Sequence, residues 1–231
     1  MRIEQVKDKA VATKVAAKLF MEKANPNAYK PFGLATGSTM DGVFLALKEF
    51  GYCPQAKDAF ALDNYLGIDS QHKNSYLREL SEKFSTRLGW MGTLHVPGTK
   101  EYSGEGGAAL FESVVSELGP ISVQLLGLGT NGHIAFNEPG SSFDSRTRVV
   151  ELAEQTRIDN SRFFEHVQEV PTHAATQGLA TIRGATSLIL LVLGERKRPA
   201  LLEALESPGP QTPLAALLDH PDITLVTDLA I

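Results

Sequence analysis

The chain has 231 residues, a formal net charge of −5 and 42% hydrophobic residues, enough for a full hydrophobic core and too apolar for global disorder. Apart from Arg196-Lys197-Arg198, lysine and arginine residues are dispersed along the chain. This dispersal argues against a nucleic-acid surface and favours a small-molecule partner. The single cysteine, Cys53, excludes an internal disulfide and a cysteine-based zinc site. No apolar run approaches a signal peptide or a membrane helix, so we expect a cytoplasmic protein without membrane contact.

Short apolar runs alternate with helical patterns along the chain, as is typical of a parallel sheet covered on both faces by helices. Predicted helices cover residues 6–23, 40–50, 74–84, 106–118, 151–164 and 195–205. Predicted strands cover 32–35, 59–62, 93–96, 121–128, 147–150, 187–193 and 223–227. No linker or repeat divides these elements, so the pattern predicts one α/β domain over residues 1–231.

The first of these strands is followed by small and hydroxyl residues at the predicted start of a helix. Ligands of an open parallel sheet bind beyond the carboxyl ends of its strands, and a helix N-terminus attracts anions. This stretch is therefore a candidate phosphate site, although an ordinary strand–helix turn with a Ser or Thr cap would look similar. It comprises Thr36, Gly37, Ser38 and Thr39.

Asp63 follows the next predicted strand and could be a base, a metal ligand or a helix cap. The glycine-rich stretch after 121–128 presents Asn131, His133 and Glu138. It is a poor dinucleotide motif, because Pro139 interrupts the helix that should open there. A lone histidine is more often structural, but this one follows a strong strand in a glycine-rich loop with a carboxylate nearby, which favours acid–base catalysis.

Basic residues that could bind a phosphate come later in the chain. Arg157, Arg162 and Lys197 lie on or near predicted helices, where surface charge is the usual explanation. Lys197 follows the strand at 187–193, so it is well placed for an anion at the same sheet edge.

The run Gly-Leu-Gly-Thr-Asn-Gly-His-Ile-Ala-Phe-Asn-Glu-Pro-Gly from Gly127 resembles the signature of glucosamine-6-phosphate deaminases. The related 6-phosphogluconolactonases share the Gly-His pair but typically continue with Ser and Leu. Further segments that match the deaminase family in order are 35–39, 62–65, 145–148, 157–164, 171–174 and 193–197. The resemblance therefore spans nearly the whole chain.

The resemblance implies a doubly wound, Rossmann-like three-layer α/β sandwich and conversion of glucosamine 6-phosphate and water to fructose 6-phosphate and ammonia. This is a step of amino-sugar catabolism and a hydrolysis of a carbon–nitrogen bond, with no metal or organic cofactor and with a monomer or small homo-oligomer as the assembly. Asp63 would move a proton between C2 and C1, and His133, with Asn131 and Glu138, would open the sugar ring. The implied phosphate ligands are Thr36, Gly37, Ser38, Thr39, Arg162 and Lys197.

The chain departs from the family pattern at a few positions. Many members carry a carboxylate at the position of Asn131 and a glutamate at that of Asn64, which changes the surroundings of His133. Val149-Val150 stands where regulated members tend to show a lysine, so we expect no allosteric site. The alternatives are a lactonase, which needs His133 but not Asp63, and a sugar-phosphate sensor that binds without catalysis.

Overall fold

A seven-stranded sheet in which every pairing is parallel forms the centre of the molecule. The structure, a computed structural model, describes residues 1–104 and 106–231. Its strands, in spatial order, are β1 (Arg2–Gln5), β10 (Ile223–Thr227), β9 (Leu188–Val192), β6 (Gln124–Gly127), β2 (Phe32–Leu34), β3 (Asp58–Ala61) and β5 (Thr93–His95). The strands β4 (Asp63–Tyr65), β8 (His173–Thr176) and β7 (Arg148–Glu151) form a separate antiparallel sheet.

Helices connect the parallel strands, because a parallel pair needs a crossover connection. They are α1 (Lys9–Ala24), α2 (Ser38–Glu49), α3 (Tyr76–Leu80), α4 (Gly107–Glu117), α5 (Glu154–Asn160), α6 (Leu179–Arg183) and α7 (Arg198–Glu206). A π-helical stretch, Ser81–Thr86, continues α3, and short 3₁₀ turns include Ser161–Phe163 and Glu195–Lys197. No described helix is long and apolar enough to cross a membrane.

The strand order shows that the sheet is doubly wound, which confirms the predicted α/β fold class. From β2 the chain moves outward through β3 to β5, and from β6 it moves the opposite way through β9 to β10. All five side chains of β9, Leu188–Val192, are buried, as expected of a central strand covered on both faces. The order reverses between the neighbours β2 and β6, so a crevice opens beyond their carboxyl ends.

Among the described residues, two hydrophobic clusters stabilise these layers. The larger one packs the parallel sheet against its helices and includes the fully buried Phe32 and Phe84, whose ring centroids are 5.4 Å apart. A smaller cluster of Tyr65, Phe136, Leu152 and Ala174 lies on the antiparallel sheet. The small cluster thus links β4 and β8 to the glycine-rich loop after β6.

The sequence predictions fail where short polar strands occur. Strand β1 was not predicted, because Arg2 and Glu4 interrupt its apolar pattern and it lies at the sheet edge. The predicted helix at 151–164 is wrong at both ends. Glu151 is the last residue of β7 and pairs with His173 of β8, and α5 ends at Asn160, where a 3₁₀ turn begins. Asp63 begins the separate strand β4, rather than ending β3.

Candidate active site

Asp63 is a buried carboxylic acid near the crevice, with 8% of its surface exposed. It pairs with Thr176 across the antiparallel sheet, which fixes its backbone. Burial, and then the nearby charge of Glu79, raises the pKa of Asp63 to about 7. A carboxyl group with this pKa can both take up and release a proton near neutral pH.

The buried Tyr65 and the partly buried Tyr76 form a wall next to Asp63. The ring centroids of Tyr65 and Tyr76 are 5.1 Å apart, and their hydroxyl groups are hydrogen-bonded. Burial raises the pKa of Tyr65 to about 12 and that of Tyr76 well above its ordinary value, so both stay neutral. Asn64 accepts a 3.2 Å hydrogen bond from the backbone N–H of Tyr76, which joins β4 to α3. Neutral side chains therefore lie on the side of Asp63 formed by β4 and α3.

His133 lies in a tightly folded loop after β6. Its imidazole ring packs against Gly129, where an added Cβ would be 2.4 Å from the ring atoms Cε1 and Nδ1. Any other residue at 129 would therefore displace the ring. The backbone N–H of Gly129 donates to the carbonyl of His133 over 2.8 Å, which closes the loop.

The loop continues through a strained residue. Ala135 has φ of 53°, in the left-handed region that residues with a Cβ rarely adopt. The buried Asn137 stabilises this turn by donating to the carbonyls of Ile134 and Gln177, while its own side-chain oxygen accepts from Arg148. The glycine-rich loop is therefore rigidly attached to the second sheet through Gln177 and Arg148.

The carboxylate of Glu138 is held by two neutral donors. The Asn131 amide donates to its Oε2 over 2.7 Å, and the Thr156 hydroxyl donates to its Oε1 over 2.5 Å. Asn131 also accepts a 3.2 Å bond from the backbone N–H of His133, as turn-forming asparagines do. The structure therefore brings Asn131, His133 and Glu138 together, with Asn131 between the other two.

The candidate phosphate loop lies at the start of α2. Gly37 has φ of 97°, which favours glycine, and Ser38 and Thr39 are the first two helical residues, whose N–H groups have no acceptor within the helix. The backbone N–H of Gly37 donates to the carboxylate of Glu79 over 3.0 Å. Glu79 therefore lies between this loop and Asp63.

Three cations share one region at the sheet edge. Burial lowers the pKa of Lys197, and the neighbouring charges of Arg162 and Lys9 lower it further. The Nζ atom of Lys9 is 3.5 Å from the position that a Cβ of Gly194 would occupy. Arg162 is exposed, and its Cζ atom is 4.8 Å from the Phe163 ring centroid. Its charge acts to lower the pKa of Tyr65, against the larger effect of burial. Mutually repelling cations in one place form an electrostatic site for an anion.

Sequence reasoning missed three residues that contact these groups. Lys9 was missed because β1 was not predicted, and only with that strand in place does the start of α1 reach the ligand-binding edge. Glu79 lies within a helical pattern that gave no functional signal. Thr156 lies two residues into α5, where a hydroxyl residue is unremarkable.

A family model for glucosamine-6-phosphate isomerases and 6-phosphogluconolactonase matches residues 7–226. A glucosamine-6-phosphate deaminase of an Exiguobacterium species is 38% identical over 94% of this chain and 85% of its own. One from Listeria monocytogenes is 35% identical over 99% of this chain and 97% of its own.

Solved structures give the same result. A monomeric glucosamine-6-phosphate deaminase superposes with a TM-score of 0.91 and 32% identity, over 98% of this chain and 97% of its own. A 6-phosphogluconolactonase from Shewanella baltica has a TM-score of 0.75 and 16% identity over 98% of this chain and 96% of its own, which shows a shared fold. From the family match and these full-length relatives together, the chain belongs to the family of glucosamine-6-phosphate isomerases and 6-phosphogluconolactonases.

Proposed function

We propose that this protein is a glucosamine-6-phosphate deaminase, which converts glucosamine 6-phosphate and water to fructose 6-phosphate and ammonia. The observation that carries the proposal is the buried Asp63, whose pKa is raised to about 7 at the ligand-binding edge of the sheet. Simple lactone hydrolysis has no use for such a group in addition to a histidine. The deaminases named above support the same reaction.

The proposed reaction starts with ring opening. His133 takes the proton from the C1 hydroxyl and returns a proton to the ring oxygen, which breaks the bond between C1 and that oxygen. Asn131 and Glu138 hold the loop in which the imidazole lies. The product is the open-chain aldehyde with its amino group on C2.

Asp63 then acts on the open chain. Its ionised carboxylate removes the proton from C2 and delivers it to C1, while O1 gains a proton and the amino nitrogen loses one, so that C1 is reduced to an alcohol and C2 is oxidised to an imine. Water adds to the imine carbon, and the carbon–nitrogen bond breaks to give the C2 ketone and ammonia. This balance needs no external oxidant or reductant, and the last step is the hydrolysis of a carbon–nitrogen bond.

The phosphate of the substrate fits the cation region. Arg162 and Lys197, with Lys9 beside them, supply positive charge, and the first turn of α2 at Ser38 and Thr39 supplies N–H and hydroxyl donors. A non-reacting phosphate held in this way contributes binding energy that positions C1 and C2 at Asp63. The solved deaminase with which the chain superposes is monomeric. We propose that this enzyme also acts as a monomer, which light scattering would test against the 25.0 kDa chain mass.

The test is an assay of ammonia and fructose 6-phosphate formed from glucosamine 6-phosphate, run beside hydrolysis of 6-phosphogluconolactone. We expect equal amounts of the two products and no lactone hydrolysis above background. Lactone hydrolysis without ammonia release would overturn the proposal in favour of the lactonase, and binding of the sugar phosphate without turnover would overturn it in favour of a sensor.

A further inference from the structure

Thr156 connects two parts of the candidate site that are far apart in the chain. Its side chain is 3% exposed, and its hydroxyl donates to Glu138, which belongs to the loop that contains His133. Thr156 itself lies on α5, outside that loop. The bond therefore attaches α5 to the side of the site where ring opening is proposed.

The other end of the same helical segment reaches the cation region. Arg162 follows α5 directly in the turn Ser161–Phe163, so Thr156 and Arg162 are separated by roughly 9 Å of continuous helical backbone. Asn160, between them, is hydrogen-bonded to the Tyr65 hydroxyl, which fixes the segment over the wall beside Asp63. One short segment thus contacts the phosphate region, the tyrosine wall and Glu138.

We propose that Thr156 is a positioning residue that couples phosphate binding at Arg162 to the placement of Glu138 and, through Asn131, of the His133 loop. The inference rests on the proposed deaminase function. A phosphate bound at the exposed Arg162 adds a further restraint on the position of α5, and Thr156 transmits that restraint to Glu138. The phosphate then raises turnover as well as affinity, which is how remote binding energy serves a reacting centre.

The direct test is a double-mutant cycle of Thr156→Val and Arg162→Ala, in which kcat and KM for glucosamine 6-phosphate are measured for each variant. Thr156→Val keeps the shape of the side chain but removes the donor. We expect kcat to fall ~10-fold with KM changed less than about twofold, since positioning of one acid–base group is a part of the 10²–10⁴-fold that such a group supplies. We also expect Arg162→Ala to lower kcat less in the Thr156→Val background than in the wild type.

Two further variants separate positioning from a general loss of structure. Thr156→Ser restores the donor and should recover most of the wild-type kcat. Ser161→Ala removes a hydroxyl from the same segment, where it bonds only the local carbonyl of Ile158 among the contacts described, and should leave kcat unchanged. If Thr156→Val is poorly folded, the comparison of Thr156→Ser with Thr156→Ala gives the same test.

The inference is overturned if the kcat losses of Thr156→Val and Arg162→Ala multiply, or if Thr156→Ser is as impaired as Thr156→Val. Its failure is distinct from failure of the proposed function. If only the inference fails, the wild type still releases ammonia from glucosamine 6-phosphate. If the proposed function fails, the wild type releases none.

Discussion

The two ends of the candidate site both place like charges together, but they do so in opposite surroundings. At the carboxylate end, Asp63 is buried close to Glu79, and its pKa is raised to about 7. At the cation end, Lys9 and Arg162 are exposed and Lys197 is partly buried. Burial moves the carboxyl group towards a pKa suited to proton transfer, whereas exposure leaves Lys9 and Arg162 reachable by a ligand. The carboxylate end is therefore suited to proton transfer, and the cation end is suited to binding an anion.

The largest effect is expected at the carboxylate end. Asp63→Asn keeps the shape of the side chain and removes the base, so kcat should fall ~10²-fold or more while the substrate still binds. The measurement is ammonia release together with substrate binding by calorimetry. Asp219→Asn, at an exposed surface ion pair with Arg183, is the matched control and should behave as wild type. Turnover near the wild-type value in Asp63→Asn would remove Asp63 from the mechanism.

Substitutions at the cation end should raise KM more than they lower kcat, and the accompanying loss of kcat should appear in Arg162→Ala. Arg162→Ala and Lys197→Ala should each raise KM for glucosamine 6-phosphate by about 10–100-fold, because a charged hydrogen bond contributes about 1.5–3 kcal/mol. Turnover of unphosphorylated glucosamine should change far less. Arg196→Ala, an exposed cation in the same turn as Lys197, serves as the control. Equal losses with both sugars would mean that these residues support the fold.

A smaller effect is expected at Glu79, and it appears in the pH dependence. Asp63 must be ionised to act as a base, so kcat/KM should fall as the pH drops through about 7, the pKa of that group. Glu79→Gln removes a negative charge that disfavours the ionised form, so the acid limb should move to lower pH. Profiles of both proteins at one ionic strength give the comparison. A limb that stays in place, or moves to higher pH, would contradict an electrostatic interaction between the two carboxyl groups.

The smallest effect is expected at Lys9, which stands at the outer part of the cation end. Lys9→Ala should raise KM severalfold at low salt, and the difference should shrink as salt screens the exposed charge. Lys7→Ala, two residues earlier and also exposed, is the control. If the two variants have the same KM at every salt concentration, Lys9 does not contribute to phosphate binding.

Long apolar patterns made the parallel sheet predictable from the sequence. Strand β9 is buried on both faces, so its side chains had to be apolar, and the residues after β2 and β6 followed as candidate ligands. Of the antiparallel sheet only β7 was predicted, as the strand at 147–150. Strands β4 and β8 were not, because these short strands are held by pairing and by a small cluster around Tyr65 and Phe136. The consequence for the site was that Asp63 was identified but its strand was not.

The contacts of the site depended on distant pairings that local sequence does not encode. Thr156 and Glu138 are 18 residues apart, and Gly37 and Glu79 are 42 apart. The sequence indicated only that Asn131 changes the surroundings of His133. Its bond to the backbone N–H of His133 is one that turn-forming asparagines make, while its bond to Glu138 had no local signal.

The most direct test of the central claim follows the proton that Asp63 is proposed to move. The measurement is exchange of a C1 hydrogen of fructose 6-phosphate in heavy water with ammonium present, followed by proton nuclear magnetic resonance. The wild type should exchange one of the two C1 hydrogens, and Asp63→Asn should do so ~10²-fold more slowly or not at all, whereas Asp219→Asn should match the wild type. Exchange by Asp63→Asn at the wild-type rate would show that another group is the base.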